Sequence, residues 1–203
     1  AGFSRLLRDP IKRPCQPTLR VLGQLNNCFI VAAGANGLFL VDQHRAHERV
    51  LFERWLRSGA QDCHSLGDPS RTQGLVIELT QRQATLLAAR IADLHALGLE
   101  VEHFGARAAV VRGLPAGLDG ETNLVEAVTE LLEQALDDHA EDWREKLLAG
   151  LCCQAAIKAG QPLTVEEMME LMSELEAALM PVTCPHGNPI IAHLRNQHLA
   201  RQF

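Results

Sequence analysis

Between Asp42 and Glu53 the chain reads DQHRAHERVLFE, which gathers Asp42, His44, His47, Glu48 and Glu53 into one short stretch. Carboxylates and imidazoles are the groups that hold metal ions and move protons. His44 and Glu48 are four residues apart, so on a helix they project from one face. One helix uses that spacing to give an ion two ligands. His47, three residues from His44, is close to the same face, where a solvated surface imidazole is the alternative. Glu53, nine residues beyond His44, falls near the opposite side of a helix and reads as a structural partner of Arg49 or Arg57. Asp42 stands where an apolar run gives way to the helical pattern. A helix N-cap and a metal ligand both want a carboxylate there, and the two readings stay open.

Two further segments carry donors. CPHG offers Cys184 and His186 on a Pro/Gly loop, a pairing suited to thiolate-plus-imidazole chelation. LCCQAAIKAG offers Cys152 and Cys153. Adjacent residues on a helix point about 100° apart, so at most one faces a given site, and a buried apolar thiol is the usual fate of the other. Thiolate, imidazole and carboxylate together suit zinc, and carboxylate with imidazole and open positions also suits manganese. Asp42, His44, Glu48, one of the paired cysteines, Cys184 and His186 exceed the four ligands of a closed structural site. The surplus implies two ions, or one with positions left for water and substrate.

The surrounding pattern predicts an α+β fold. Residues 1–18, with Pro10, Pro14 and Pro17 among charges, read as a linker remnant. Leu19–Leu25 running on to Phe29–Ala33, then Leu38–Val41, read as strands, with GANG as a hairpin turn and Gly23-Gln24 as a bulge or a sheet-edge kink. A helix is expected over 44–57. GLVIELT reads as a strand, and Thr80 with Gln83 as the capping box of a helix to about Ala96. LEVEHF and ARAAVVRGLP read as strands bending at Gly105, and 124–136 as an amphipathic helix. Residues 138–180 are helical with a break at Gly160-Gln161-Pro162. Thr164 and Glu167 cap the last stretch, with Met168, Leu171, Met172, Leu175 and Leu179 expected inward. The expected organisation is two subdomains: 19–66 with 138–203, and an inserted β-α-β-β-α unit over 67–137.

Composition narrows the function classes. The chain has 203 residues, 47% hydrophobic, and a formal net charge of −6. An acidic balance argues against strong autonomous nucleic-acid binding, which relies on Lys and Arg at phosphates, though not against a delivered nucleic-acid substrate. No apolar run is long enough for a membrane helix. Six cysteines are few for a disulfide scaffold of this length.

Four segments in order resemble the MutL C-terminal domain family of DNA mismatch repair: GQLNNCFIVA, the opening strand motif; DQHRAHERVLFE, the endonuclease signature D-Q-H-A-x-x-E-x-x-x-x-E; CCQAAIKAG, the A-C-[RK] helix motif; and CPHGNP, similar to C-P-H-G-R-P. The resemblance implies a metal-dependent DNA nicking endonuclease that homodimerises and is latent without partners. It implies Asp42, His44 and Glu48 as catalytic residues, and Asp42, His44, Glu48, Cys153, Cys184 and His186 as ligands to Zn2+, Mn2+ or both. The implied partners are DNA, an N-terminal ATPase domain of the same chain, a mismatch-recognition protein and a sliding clamp, in a bacterial cytoplasm at the nucleoid, with no membrane. PSRTQGLVIEL holds no clean copy of the clamp motif Q-x-x-[LI]-x-P. Arg45, Gln154 and Asn188 depart from the family's alanine, basic residue and arginine. The rival reading is a non-catalytic dimerisation module with a structural zinc site. A zinc hydrolase acting on small molecules is a third.

Overall fold

The computed structural model describes residues 19–58, 63–65, 74–115, 130, 132–134 and 142–202. The expected linker, most of the loop after residue 58 and most of the 124–136 helix lie outside them. Helices and antiparallel sheets together give the α+β class the sequence predicts. The chain forms two compact units, one reaching Val50 and resuming at Ile157, the other spanning Leu51–Ala156.

The first unit is built on a four-stranded antiparallel sheet. β1 (Arg20–Leu25), β2 (Phe29–Gly34) and β3 (Gly37–Asp42) form a meander, and β8 (Ile191–Arg195) pairs with β3. The first two strands, read from sequence as one run, are separated by a tight turn. Asn26 and Asn27 take φ of 51° and 50°, and the Cys28 N–H donates to the Leu25 carbonyl at 3.1 Å. Asparagine tolerates this left-handed backbone, which a two-residue hairpin loop requires. Pairing slips between Val21 and Gly23, so the irregularity lies one residue before the Gly23-Gln24 pair where a bulge or kink was expected. At the GANG turn a side chain on Gly37 would overlap the Leu194 carbonyl oxygen, so only glycine lets β8 approach.

Alternation along the strands divides the sheet into two faces. Ile30, Ala32 and Val41 are buried against α4 (Val165–Ala177), through Met168, Leu171, Met172 and Leu175, and against Ala46 and Val50 of α1 (Gln43–Ser58). The opposite face carries Leu25, Phe29, Val31, Leu38, Leu40 and Leu194, as cross-strand register requires. None of these six belongs to a buried core cluster among the described residues. Leu179, expected inward, is exposed: α4 ends at Ala177 and Ala178 is already extended, so helical periodicity no longer governs its direction.

In the second unit β7 (Ala108–Pro115) pairs with β4 (Cys63–Ser65), β5 (Leu75–Glu78) and β6 (Glu100–His103). α2 (Gln81–Ala96) starts at Thr80 with the predicted capping box, and Gly98 follows it at φ +82°. Its core joins Leu87 and Leu94 of α2 to Val101, Val111 and Trp143, Leu147 and Leu151 of α3 (Trp143–Ala155). Leu51 and Phe52 pack with Leu148, Ala149, Cys152 and Ala156 in a second cluster. The later half of α1 and α3 therefore group with the 67–137 segment.

Candidate metal centre

Asp42 ends β3, where its N–H donates to the Ile190 carbonyl at 3.0 Å. Its Oδ1 accepts the Arg45 N–H at 3.1 Å, which satisfies a free amide of the first turn of α1. Oδ2 faces Arg45 Nε at 3.4 Å. The N-cap reading of Asp42 is thus realised, and the residue stands apart from the donor cluster described next. Arg45 also donates to the Pro189 carbonyl at 3.0 Å.

His44 and Glu48 meet one turn further along α1. His44 Nε2 is 3.3 Å from Glu48 Oε1, and the Glu48 side chain is only 3% exposed. His44 Nδ1 lies 2.9 Å from the Ile157 carbonyl oxygen. A carbonyl only accepts, so Nδ1 carries the proton and the neutral ring has its lone pair on Nε2. That lone pair faces Glu48.

The CPHG loop brings the remaining donors of this unit. Thr183 and Pro189 bridge, the Gly187 N–H donates to the Cys184 carbonyl at 2.9 Å, and Gly187 takes φ +83°, which glycine adopts without strain. Buried Arg49 donates from Nε to the Thr183 carbonyl at 2.7 Å and ties the loop to α1. Buried Cys184, His186 and Glu48 thereby place one ligand atom each within 4.8 Å of one another. His186 Nδ1 is 3.7 Å from Glu48 Oε1, beyond hydrogen-bond length.

The mutual approach of Glu48, Cys184 and His186 suits a shared cation. Four-coordinate bonds of roughly 2.0–2.3 Å set neighbouring donors roughly 3.3–3.8 Å apart, and the His186 contact to Glu48 Oε1 falls there. The donor set, one carboxylate oxygen with imidazole and thiolate, suits zinc and its neighbours.

Of the paired cysteines, Cys153 is half-buried on α3 of the second unit, while its neighbour Cys152 is fully buried in that unit's core. Glu53 pairs with Arg57 at 3.0 Å, the structural role expected of it. His47 is held by backbone, its Nδ1 accepting the Ile157 N–H at 3.0 Å. Sequence reasoning missed Gln43, which is fully buried, and Arg49. A polar residue inside a motif otherwise made of ligands was the available signal for the first.

An antiparallel sheet backed by helices, with a carboxylate–imidazole–thiolate cluster at one helix start, defines an α+β domain with a candidate metal centre. The family is set by comparison: residues 22–163 match the model of the MutL C terminal dimerisation domain, and the chain belongs to that family. It is 36% identical over 189 residues to the DNA mismatch repair protein MutL of Koribacter versatilis, covering 92% of this chain and 29% of that protein. It is 38% identical to the MutL of Solibacter usitatus (91% and 28%) and 32% to that of Methanothrix thermoacetophila (95% and 34%). The chain therefore spans about a third or less of these relatives. No helix among the described residues is long and apolar enough to cross a membrane.

Proposed function

We propose that the chain is the homodimerising, metal-dependent DNA-nicking part of a bacterial mismatch-repair protein of the MutL type, working in the cytoplasm at the nucleoid. The observation that carries the catalytic half is the approach of His44 and His186 to one oxygen of buried Glu48, with Cys184 beside it. His44, Glu48, Cys184 and His186 would hold Zn2+ or Mn2+, joined by Asp42 and Cys153 in the set that the motifs imply. A divalent ion bound there supplies Lewis-acid polarisation of a phosphoryl oxygen. The chain's own contribution is to hold the Glu48 carboxyl in a buried position, and to aim His44 Nε2 through the Ile157 carbonyl. The net charge of −6 keeps the intrinsic grip on DNA weak. Substrate delivery then falls to an N-terminal ATPase domain, a mismatch-recognition protein and a sliding clamp.

The dimerising half rests on the outer sheet face. Leu25, Phe29, Val31, Leu38, Leu40 and Leu194 form a contiguous apolar surface by register, and a second copy is the occupant that a dimerisation family favours. A non-catalytic module with a structural zinc is the second reading, favoured by the thiolate of Cys184 and by Gln154 and Asn188 in place of basic residues. Asp42→Asn separates the two, because asparagine caps a helix as well as aspartate does but carries no charge. Loss of manganese-dependent nicking of supercoiled plasmid with an unchanged melting temperature supports the nuclease. Undiminished nicking by this variant refutes a catalytic Asp42. No nicking by the parent chain with its partners present favours the structural module.

A further inference from the structure

Two histidines one turn apart on α1 grip the same residue of a distant segment. Ile157 accepts the His44 Nδ1–H through its carbonyl at 2.9 Å and donates its N–H to His47 Nδ1 at 3.0 Å. The two rings are thereby set in opposite tautomers: His44 has its lone pair on Nε2, toward Glu48, while the Nδ1 lone pair of His47 is already used.

The segment that Ile157 begins is held by a buried carboxamide. Gln43 Nε2 donates to the carbonyls of Asn27 (2.8 Å), Lys158 (3.0 Å) and Gln161 (3.0 Å), and its Oε1 accepts from Gln24 Nε2 at 2.6 Å. Gln24 continues the network, donating to the Gln161 carbonyl at 3.0 Å and accepting the Leu163 N–H at 3.2 Å. The Gly160 N–H donates to the Asn27 carbonyl at 2.8 Å. Gln43 precedes His44 and Lys158 follows Ile157, so the carboxamide bridge lies one residue from the His44–Ile157 bond on both strands of chain. A satisfied buried polar network of this kind permits one arrangement and penalises others.

We propose that His47 and Gln43 are positioning residues: they fix the Ile157–Gln161 backbone so that its first carbonyl keeps His44 in the Nδ1–H tautomer with Nε2 directed at Glu48. The inference rests on the reading of His44 as a ligand only for its metal readout. Groups that orient a ligating histidine are typically worth roughly 10–100-fold in metal affinity.

The test uses the 203-residue chain and two measurements. Imidazole nitrogen shifts of the metal-free protein report the His44 tautomer, and competition with a chelator reports Zn2+ affinity. His47→Leu removes the acceptor for the Ile157 N–H at a half-buried site, whereas His47→Asn keeps an oxygen near the Nδ1 position. The expected result is a mixed His44 tautomer and a loss of zinc affinity on the order of 10-fold in His47→Leu, both restored in His47→Asn. Gln43→Leu should produce the same tautomer mixing, and if it fails to fold the histidine pair decides. An unchanged Nδ1–H signal for His44 in a folded His47→Leu overturns the proposal. A tautomer change in a chain that never binds Zn2+ supports the positioning role and removes the metal reading instead.

Discussion

His44 Nε2 lies 3.3 Å from Oε1 of Glu48, one helical turn apart on α1, and the same oxygen is 3.7 Å from His186 Nδ1. One carboxylate oxygen is thus approached by nitrogens from a helix and from a loop far along the chain.

Glu48→Gln removes the charge but keeps the shape. Zinc affinity should fall by at least the roughly 100-fold upper value seen for outer partners of metal ligands. In the presence of a chelator the variant should keep its fold, because the amide has the shape of the carboxylate and a neutral group is easier to bury than a charged one. Calorimetry with and without zinc checks both, and a variant that binds zinc as tightly as the parent sinks the site.

Metal removal should destabilise the parent chain by linkage. At a free concentration 100 times the dissociation constant, a ligand bound only by the folded state contributes about 2.7 kcal/mol. Zinc should therefore raise the melting temperature of the parent and leave Cys184→Ser nearly unmoved. An equal rise in both would place the ion elsewhere.

Leu38 sits near the middle of the outer sheet face, cross-strand to both Ala33 and Leu194. Leu38→Glu should leave the circular dichroism spectrum intact and convert dimer to monomer. An unpaired charge buried in an interface costs roughly 3 kcal/mol or more, on the order of 100-fold in dissociation constant. Sedimentation equilibrium gives the answer, and a variant as dimeric as its parent moves the interface off this face.

Glu167 closes the capping box of α4, and its bonds from the Thr164 N–H and then the Thr164 hydroxyl hold its carboxyl below the ordinary value of 4.5. A depressed folded value means that the ionised group favours the folded state. That contribution is fully present above pH 4.5 and disappears as pH falls through the lower folded value. Melting curves of the parent and Glu167→Gln should converge in acid and separate above it, with the parent the more stable. Parallel curves across that window would deny the linkage.

Local chemistry was legible wherever neighbours in sequence settle it. Both capping boxes, Thr80 with Gln83 and Thr164 with Glu167, form as their three-residue spacing predicts. The same-face projection of His44 and Glu48 follows from helical geometry alone. The Asn26-Asn27 turn was missed, because the apolar runs on either side read as one; the tolerance of asparagine for positive φ was the available signal. Leu179 was misplaced because periodicity says nothing about where a helix stops.

The sequence by itself determined which side chains could bind an ion, which helix carries two of them, and the family to which the chain belongs. Only tertiary structure decided that Cys184 and His186 reach Glu48, that Cys152 is spent in a core, and that Gln43 is buried against three carbonyls. The reason is that helix and strand periods act over a few residues, whereas the meeting of α1 with the 183–189 loop depends on how β8 pairs beside β3. That pairing is set by burial of one sheet face and the glycine clearance at Gly37, which emerge only when the whole unit packs.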